Sequence, residues 1–181
     1  MAWTAPMTFV AGTVLTAAQL NTYLRDNSLE TAPAKATAGG QIFVSTSANT
    51  IAARVPTGAV VYTSESTSTT SYTDLGTVGP AVSSVSTGSK ALVMISAFLR
   101  NGTAGQAAVM GYDISGATTA AAANDRALWQ TSATASSPIQ ASTIILQEGL
   151  VVGNNTFTAK YKAEASGSAT FANRRLAVIP L

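Results

Sequence analysis

Residues 156–164 read Thr156-Phe157-Thr158-Ala159-Lys160-Tyr161-Lys162-Ala163-Glu164, and their strict alternation decides the class of fold. Successive side chains of an extended strand point to opposite faces. Phe157, Ala159, Tyr161 and Ala163 therefore share one face, and the threonines, lysines and Glu164 the other. One face is made for a core and the other for water, so the strand needs hydrogen-bonded neighbours and a second layer over its apolar side.

The same signal recurs outward from this segment, with turn residues between the repeats. Candidate strands are Ala59 to Thr63, Thr70 to Thr77, Val82 to Ser86, Lys90 to Arg100, Ala107 to Ile114, Ala127 to Thr131, Gln140 to Glu148 and Thr170 to Ile179. Short strands at such regular spacing predict an all-β sandwich or barrel over residues 58–181. Lys90 to Arg100 is apolar on both faces for most of its length, which fits a central strand or one whose outer face meets another subunit. The intervening loops, Ser64 to Thr69, Asn101 to Gly105, Ser115 to Asn124 and Ala133 to Pro138, are polar and small-residue, of a kind that gathers at one end of a sandwich as a recognition surface. Within the long one, Ala120 to Ala123 is helix-favouring and leaves a short helix open.

The N-terminal region is different in kind. Thr16-Ala17-Ala18-Gln19 has the spacing of a capping box, with Leu15 and Leu20 at the two staple positions. Ala17, Leu20, Tyr23 and Leu24 then fall on one face of a helix running to about Leu29. About thirteen residues of helix are marginal alone in water, so Leu15, Thr16, Gln19, Leu20, Tyr23 and Leu24 are read as an attachment helix that packs on something else. The arm before it, with Trp3, Pro6, Met7, Phe9, Val10 and Val14, is apolar without periodicity. Thr31 to Gly40 reads as a linker, and Ile42 to Val44 with Ile51 to Val55 as a β-hairpin that is not stable by itself. The expected organisation is an arm and helix over 1–32, a linker and hairpin over 33–57, and the sandwich over 58–181.

Composition narrows the function. Of 181 residues, 10% are charged against roughly 25% in ordinary soluble domains. Hydroxyl and methyl groups take the place of charge, which suggests a surface covered by copies of the chain or by neighbours. The net charge of +2 is carried by scattered residues, so nucleic acid is not the expected partner. Ala91 to Leu99, the longest dense apolar stretch, is far short of the ~20 residues of a membrane helix. MAWTAPMTFVAG lacks the basic region and long apolar run of a secretory signal, and the protein is expected to act where it is made or within an assembled particle.

There is no cysteine and no histidine. That joint absence removes disulfides, thiol nucleophiles, Cys/His metal sites and histidine acid–base chemistry. Carboxylate pairs among Asp74, Asp113, Asp125, Glu148 and Glu164 are the remaining catalytic option, and none lies in a recognisable motif. No catalytic, metal or cofactor residue is assigned, and the chain is expected not to be an enzyme. Trp129, Tyr112 and Arg126 could form an aromatic and basic patch for sugar stacking, although core packing of Trp129 is the commoner outcome. Arg174-Arg175 lies inside a strand, so one arginine must face inward, where Glu148 or Glu164 is a candidate partner. Arg126, Trp129, Arg174 and Arg175 are thus the candidates for intersubunit or receptor contact.

With those residues in place, the sequence resembles phage tail-associated and fibre-like proteins from viruses of Gram-positive and actinobacterial hosts. Trp3 to Asn27, including Asn21, Arg25, Asp26 and Asn27, is similar to the opening of many phage virion proteins. Gly40 to Gly58 is similar to a short hairpin element of phage fibres, and Asn155 to Leu181 to the last strands of jelly-roll-like heads. The resemblance implies a virion component assembled in the host cytoplasm and attached to other virion proteins through its N-terminal region. It also implies a jelly-roll-like head, outward-facing and trimeric; the expected role of that head is adhesion or host binding, with a host cell-surface glycan as the expected further partner. With a single hairpin and no coiled-coil or collagen-like stalk, a compact tail knob or short fibre fits better than a long fibre. A capsid decoration protein or head fibre is the alternative.

Overall fold

In the computed structural model, which describes residues 3–165 and 167–181, the chain divides into two compact units, Met1–Val55 and Pro56–Leu181.

In the first unit Thr16 caps α1 (Ala17–Leu20). Its hydroxyl accepts from the Gln19 amide at 3.2 Å while the Gln19 side chain accepts from the Thr16 amide at 2.9 Å, the capping box expected from the sequence. The helix then widens into a π-helical stretch (Asn21–Asp26) and ends in α2 (Asn27–Leu29). The segment read as a linker contains a further turn of helix, α3 (Ala32–Lys35), because Pro33 sits in its first turn, where a missing amide costs nothing. Lys35 closes on Glu30 at 3.0 Å. The hairpin is present, as β1 (Ile42–Ser47) and β2 (Thr50–Arg54), turning at Asn49 with φ +56°.

The second unit carries β3 (Thr57–Val61), β4 (Glu65–Thr67), β5 (Ala81–Thr87), β6 (Ala91–Asn101), β7 (Ala107–Gly116), β8 (Leu128–Thr131), β9 (Ile139–Gln147), β10 (Gly153–Ala163) and β11 (Ala169–Pro180). They form two antiparallel sheets, β3-β11-β6-β9 with β4 also on β11, and β5-β10-β7-β8. Leaving β4 aside, the chain crosses between the sheets at every step except β7 to β8, and each sheet interleaves early and late strands. This is the order of a jelly roll. Two readings change. Glu65–Thr67, taken as loop, is a strand on β11, and Thr70 to Thr77 is not one, contributing only a bridge from Thr73 to Tyr161. The alanines 120–123 form no helix, Ala120 bridging to Ile114, and the short helix of the segment from Ser115 to Arg126 is a single 3-10 turn, Asn124–Arg126.

The core lies between the sheets. From one side come Val93, Ile95, Leu99, Phe171, Leu176 and Val178, and from the other Val82, Met110, Tyr112, Ile114, Phe157 and Tyr161. Tyr161 tilts against Phe171 with ring centres 4.8 Å apart, so the alternating segment 156–164 delivers its apolar face as expected. β6 is central, between β11 and β9. Its inner residues are buried, while its outer face leaves Met94 37% exposed next to Ile144 at 66%.

Candidate functional site

The two arginines of β11 part company as alternation requires. Arg174 is fully buried and donates through Nη2 to Glu65 Oε2 at 2.7 Å and to Thr63 Oγ1 at 2.9 Å, with its guanidinium carbon 5.2 Å from the Tyr161 ring centre. Glu65 Oε1 in turn accepts from the Thr77 amide at 2.8 Å and from its hydroxyl. Burial opposes the charge on Glu65, but the Thr77 hydrogen bonds and Arg174 together hold its carboxyl below the ordinary range. The partner is therefore neither Glu148, which pairs with Lys90, nor Glu164, which accepts from the Ala107 amide. With no exposed surface, Arg174 ties the segment after β3 to the sheet and presents nothing to a partner, which corrects its reading as a contact residue. Arg175 is exposed on the outer face of the same strand.

That outer face is apolar. Leu92 lies opposite Leu146, and Met94 opposite Ile144, with Ala177 and Ile179 alongside on β11. Met94, Ser96, Ser142, Ile144, Arg175 and Ala177 line a shallow depression across it. An apolar patch of this kind, bordered by Arg175, is a surface for a neighbour.

The opposite sheet is polar outside. Tyr72 reaches in from the segment before β5 and lays its ring on Gly111, where an added Cβ would stand 3.0 Å from the ring. Its hydroxyl donates to Asn124 Oδ1 at 3.1 Å, and burial, together with the charge of Asp125, pushes the phenol up to about 12. The Lys162 ammonium lies 5.0 Å from the Tyr72 ring centre and 5.5 Å from that of Trp129, held by the two rings. One outward position along β10, Lys160 donates to both carboxylate oxygens of Asp74 at 2.8 Å and stands 3.4 Å from Asp113. Tyr72, Thr73, Asp74, Asp113, Ala121, Ala122 and Lys160 enclose a recess of about 320 Å³.

The aromatic patch expected from Trp129, Tyr112 and Arg126 is thus rearranged. Trp129 is on the surface at 40% exposure, but Tyr112 is in the core with its hydroxyl on Gln147, and Arg126 turns back to the Ala121 carbonyl, 5.9 Å over the Tyr112 ring. The residues that do join Trp129 are Lys162 and Tyr72. The outward Lys160 and Lys162 are legible from alternation; Tyr72 and Asp74 come from a segment about 90 residues away, which no local pattern connects to them. Of the five carboxylates considered, only Asp74 and Asp113 come together.

The helix read from the sequence as an attachment element leaves its leucines exposed. Leu15, Leu20, Leu24 and Leu29 are 39–58% exposed, Phe9 and Val10 are exposed as well, and Tyr23 is half-buried. Hydrogen bonds tie this unit together around apolar side chains that are at most partly buried, among them Tyr23, Ile42, Val44 and Ile51. The Asn27 side chain accepts from the Thr4 amide and donates to the Thr4 carbonyl, both at 2.8 Å, and the Trp3 amide donates to the Asn49 carbonyl of the hairpin turn. Among the described residues of this unit only Asn27 and Glu30 are buried, and neither is apolar.

No helix among the described residues is long and apolar enough to cross a membrane, and no three acidic residues gather there as a metal site would need. No protein-family model matches the sequence, and no curated protein matches it. Among solved structures, the chain is similar to one from the structure of infectious bursal disease virus, Gx strain, with 11% identity and a TM-score of 0.43. The match covers 75% of this chain and spans 35% of the length of that one.

Proposed function

We propose that the protein is a non-enzymatic structural component of a phage particle, a tail-associated short fibre or knob. In this reading residues 1–55 attach to other virion proteins, and the jelly roll faces outward, as a homotrimer, to adhere to the host. The carrying observation is that, among its described residues, the first unit buries no apolar side chain while exposing Phe9, Val10, Leu20, Leu24 and Leu29. Covering the 42–65% of each that is still exposed gains about half of the 1.5–3 kcal/mol of full burial, so the unit is built to be completed by other chains. The jelly roll supports the same reading at the level of fold alone, since capsid and lectin domains share that architecture. Sparse charge and the apolar outer face of β11-β6-β9 fit self-association. Against catalysis, the Lys160 ammonium stands between Asp74 and Asp113, where a glycosidase needs room for water or the sugar carbon.

The apolar sheet face also favours a second reading, a capsid decoration protein or head fibre whose sandwich packs against shell neighbours. Labelling the chain in intact particles separates the two. Signal on the tail is expected; signal confined to the shell replaces the first reading with the second, and particles without the chain overturn both.

A further inference from the structure

We infer that the recess between Tyr72, Asp74, Asp113 and Lys160 on the outer face of β10-β7 is a binding site for one neutral sugar ring of a surface glycan. This rests on the adhesive role proposed above, and gives it a site.

The argument starts from hydrogen-bonding capacity. A carboxylate offers about four lone-pair sites. Lys160 is the only described hydrogen-bond or ion-pair partner of Asp113, at 3.4 Å, and of Asp74, at 2.8 Å. Both carboxylates keep acceptor sites that no described protein donor occupies, and both are partly open to solvent, at 39% for Asp74 and 31% for Asp113. A tie that served only to pin the segment before β5 would need Asp74 alone. The recess adds a second carboxylate, an aromatic wall from Tyr72, and Ala121 and Ala122, whose methyl groups leave it unfilled.

Charge and size select the ligand. Two carboxylates and one ammonium leave the recess with one net negative charge, so an anion is repelled; a cation meets Lys160, whose charge both aspartates stabilise even though burial opposes it. A neutral polyol meets carboxylate acceptors for its hydroxyls, while the ammonium donors of Lys160 stay turned to Asp74 and Asp113. About 320 Å³ lies at the small end of ligand pockets, the scale of a single ring. Trp129, held two strands away by the same Lys162 that touches Tyr72, offers a platform for the next residue of a chain.

The test is saturation-transfer NMR of the full chain with methyl glycosides of glucose, galactose, mannose, rhamnose and N-acetylglucosamine, and with glycerol 3-phosphate as the anionic probe. At least one glycoside is expected to bind, with affinity about tenfold weaker or worse in Asp113→Asn and Tyr72→Ala, the loss of one charged hydrogen bond or one wall. Lys90→Gln, whose ammonium pairs with Glu148 beside the opposite sheet, is expected to leave binding unchanged. Circular dichroism identifies any variant that fails to fold, and Asp74→Asn then takes its place. The inference is overturned if no glycoside binds, if binding survives all the recess variants, or if glycerol 3-phosphate binds better than any glycoside. Fluorescent full chain on host cells keeps the two proposals apart. Cell binding that ignores the recess variants sinks the site and leaves adhesion standing; glycoside binding without cell binding upholds the site and sinks adhesion.

Discussion

With its guanidinium fully buried, Arg174 depends on Glu65 for a counter-charge. Glu65→Gln keeps the shape and removes the charge, leaving a buried cation unpaired, and is expected to cost on the order of 3 kcal/mol in chemical denaturation. The same pair sets the acid response. Because the folded-state carboxyl of Glu65 titrates below its ordinary value of 4.5, its contribution is complete above that pH and is lost as pH falls through the folded value. Acid unfolding should therefore be shallower in Glu65→Gln than in the parent, and an identical slope would show that the pair is not the cause. At alkaline pH the tyrosines act in the opposite sense. Burial raises the phenols of Tyr72, to about 12, and of Tyr112 and Tyr161 further still. Above pH 10 the unfolded chain has released protons that the folded one retains, so stability falls as pH rises from there. Ultraviolet titration should show these three phenols ionising only as the fold is lost; all five tyrosines titrating together near pH 10 would contradict their burial.

At the scale of elements, β6 carries its own test. Its outer side chains Leu92 and Met94 face solvent with Ile144 and Leu146 across the strand pair. Met94→Lys with Ile144→Lys adds charge to a solvated face, so the thermal midpoint of the isolated chain is expected to change little, within the range of surface substitutions. Light scattering should nevertheless show smaller oligomers, and an oligomer unaffected by both charges would move the contact elsewhere. The elements differ in how far they could be read from the sequence. Residues 156–164 and 90–100 were legible because side-chain period and burial agree within one strand. The capping box was legible because it closes over four residues. Glu65–Thr67 was not, since three polar residues reveal a strand only through pairing with Phe171, over a hundred positions away. The recess was half legible: alternation pointed Lys160 and Lys162 outward, while Tyr72 and Asp74 arrive through sheet topology. Trp129 could be placed at the surface only once β8 had a register on β7.

At the scale of the whole chain, the two units are stabilised by different means. The unit Pro56–Leu181 encloses a continuous core between two sheets, whereas the described residues of the first unit are tied by hydrogen bonds at Asn27, Asn49 and the capping box and leave Phe9, Val10, Leu20, Leu24 and Leu29 to be covered. A chain with one finished and one unfinished unit is suited to assembly through the unfinished N-terminal unit while the finished jelly roll displays a surface. Incorporation of a Leu20→Asp, Leu24→Asp double variant into particles tests that division most directly, in an infected host lacking the natural copy. The account predicts a variant whose jelly roll melts like the parent's but which is absent from purified particles; incorporation at the parent's level would contradict it.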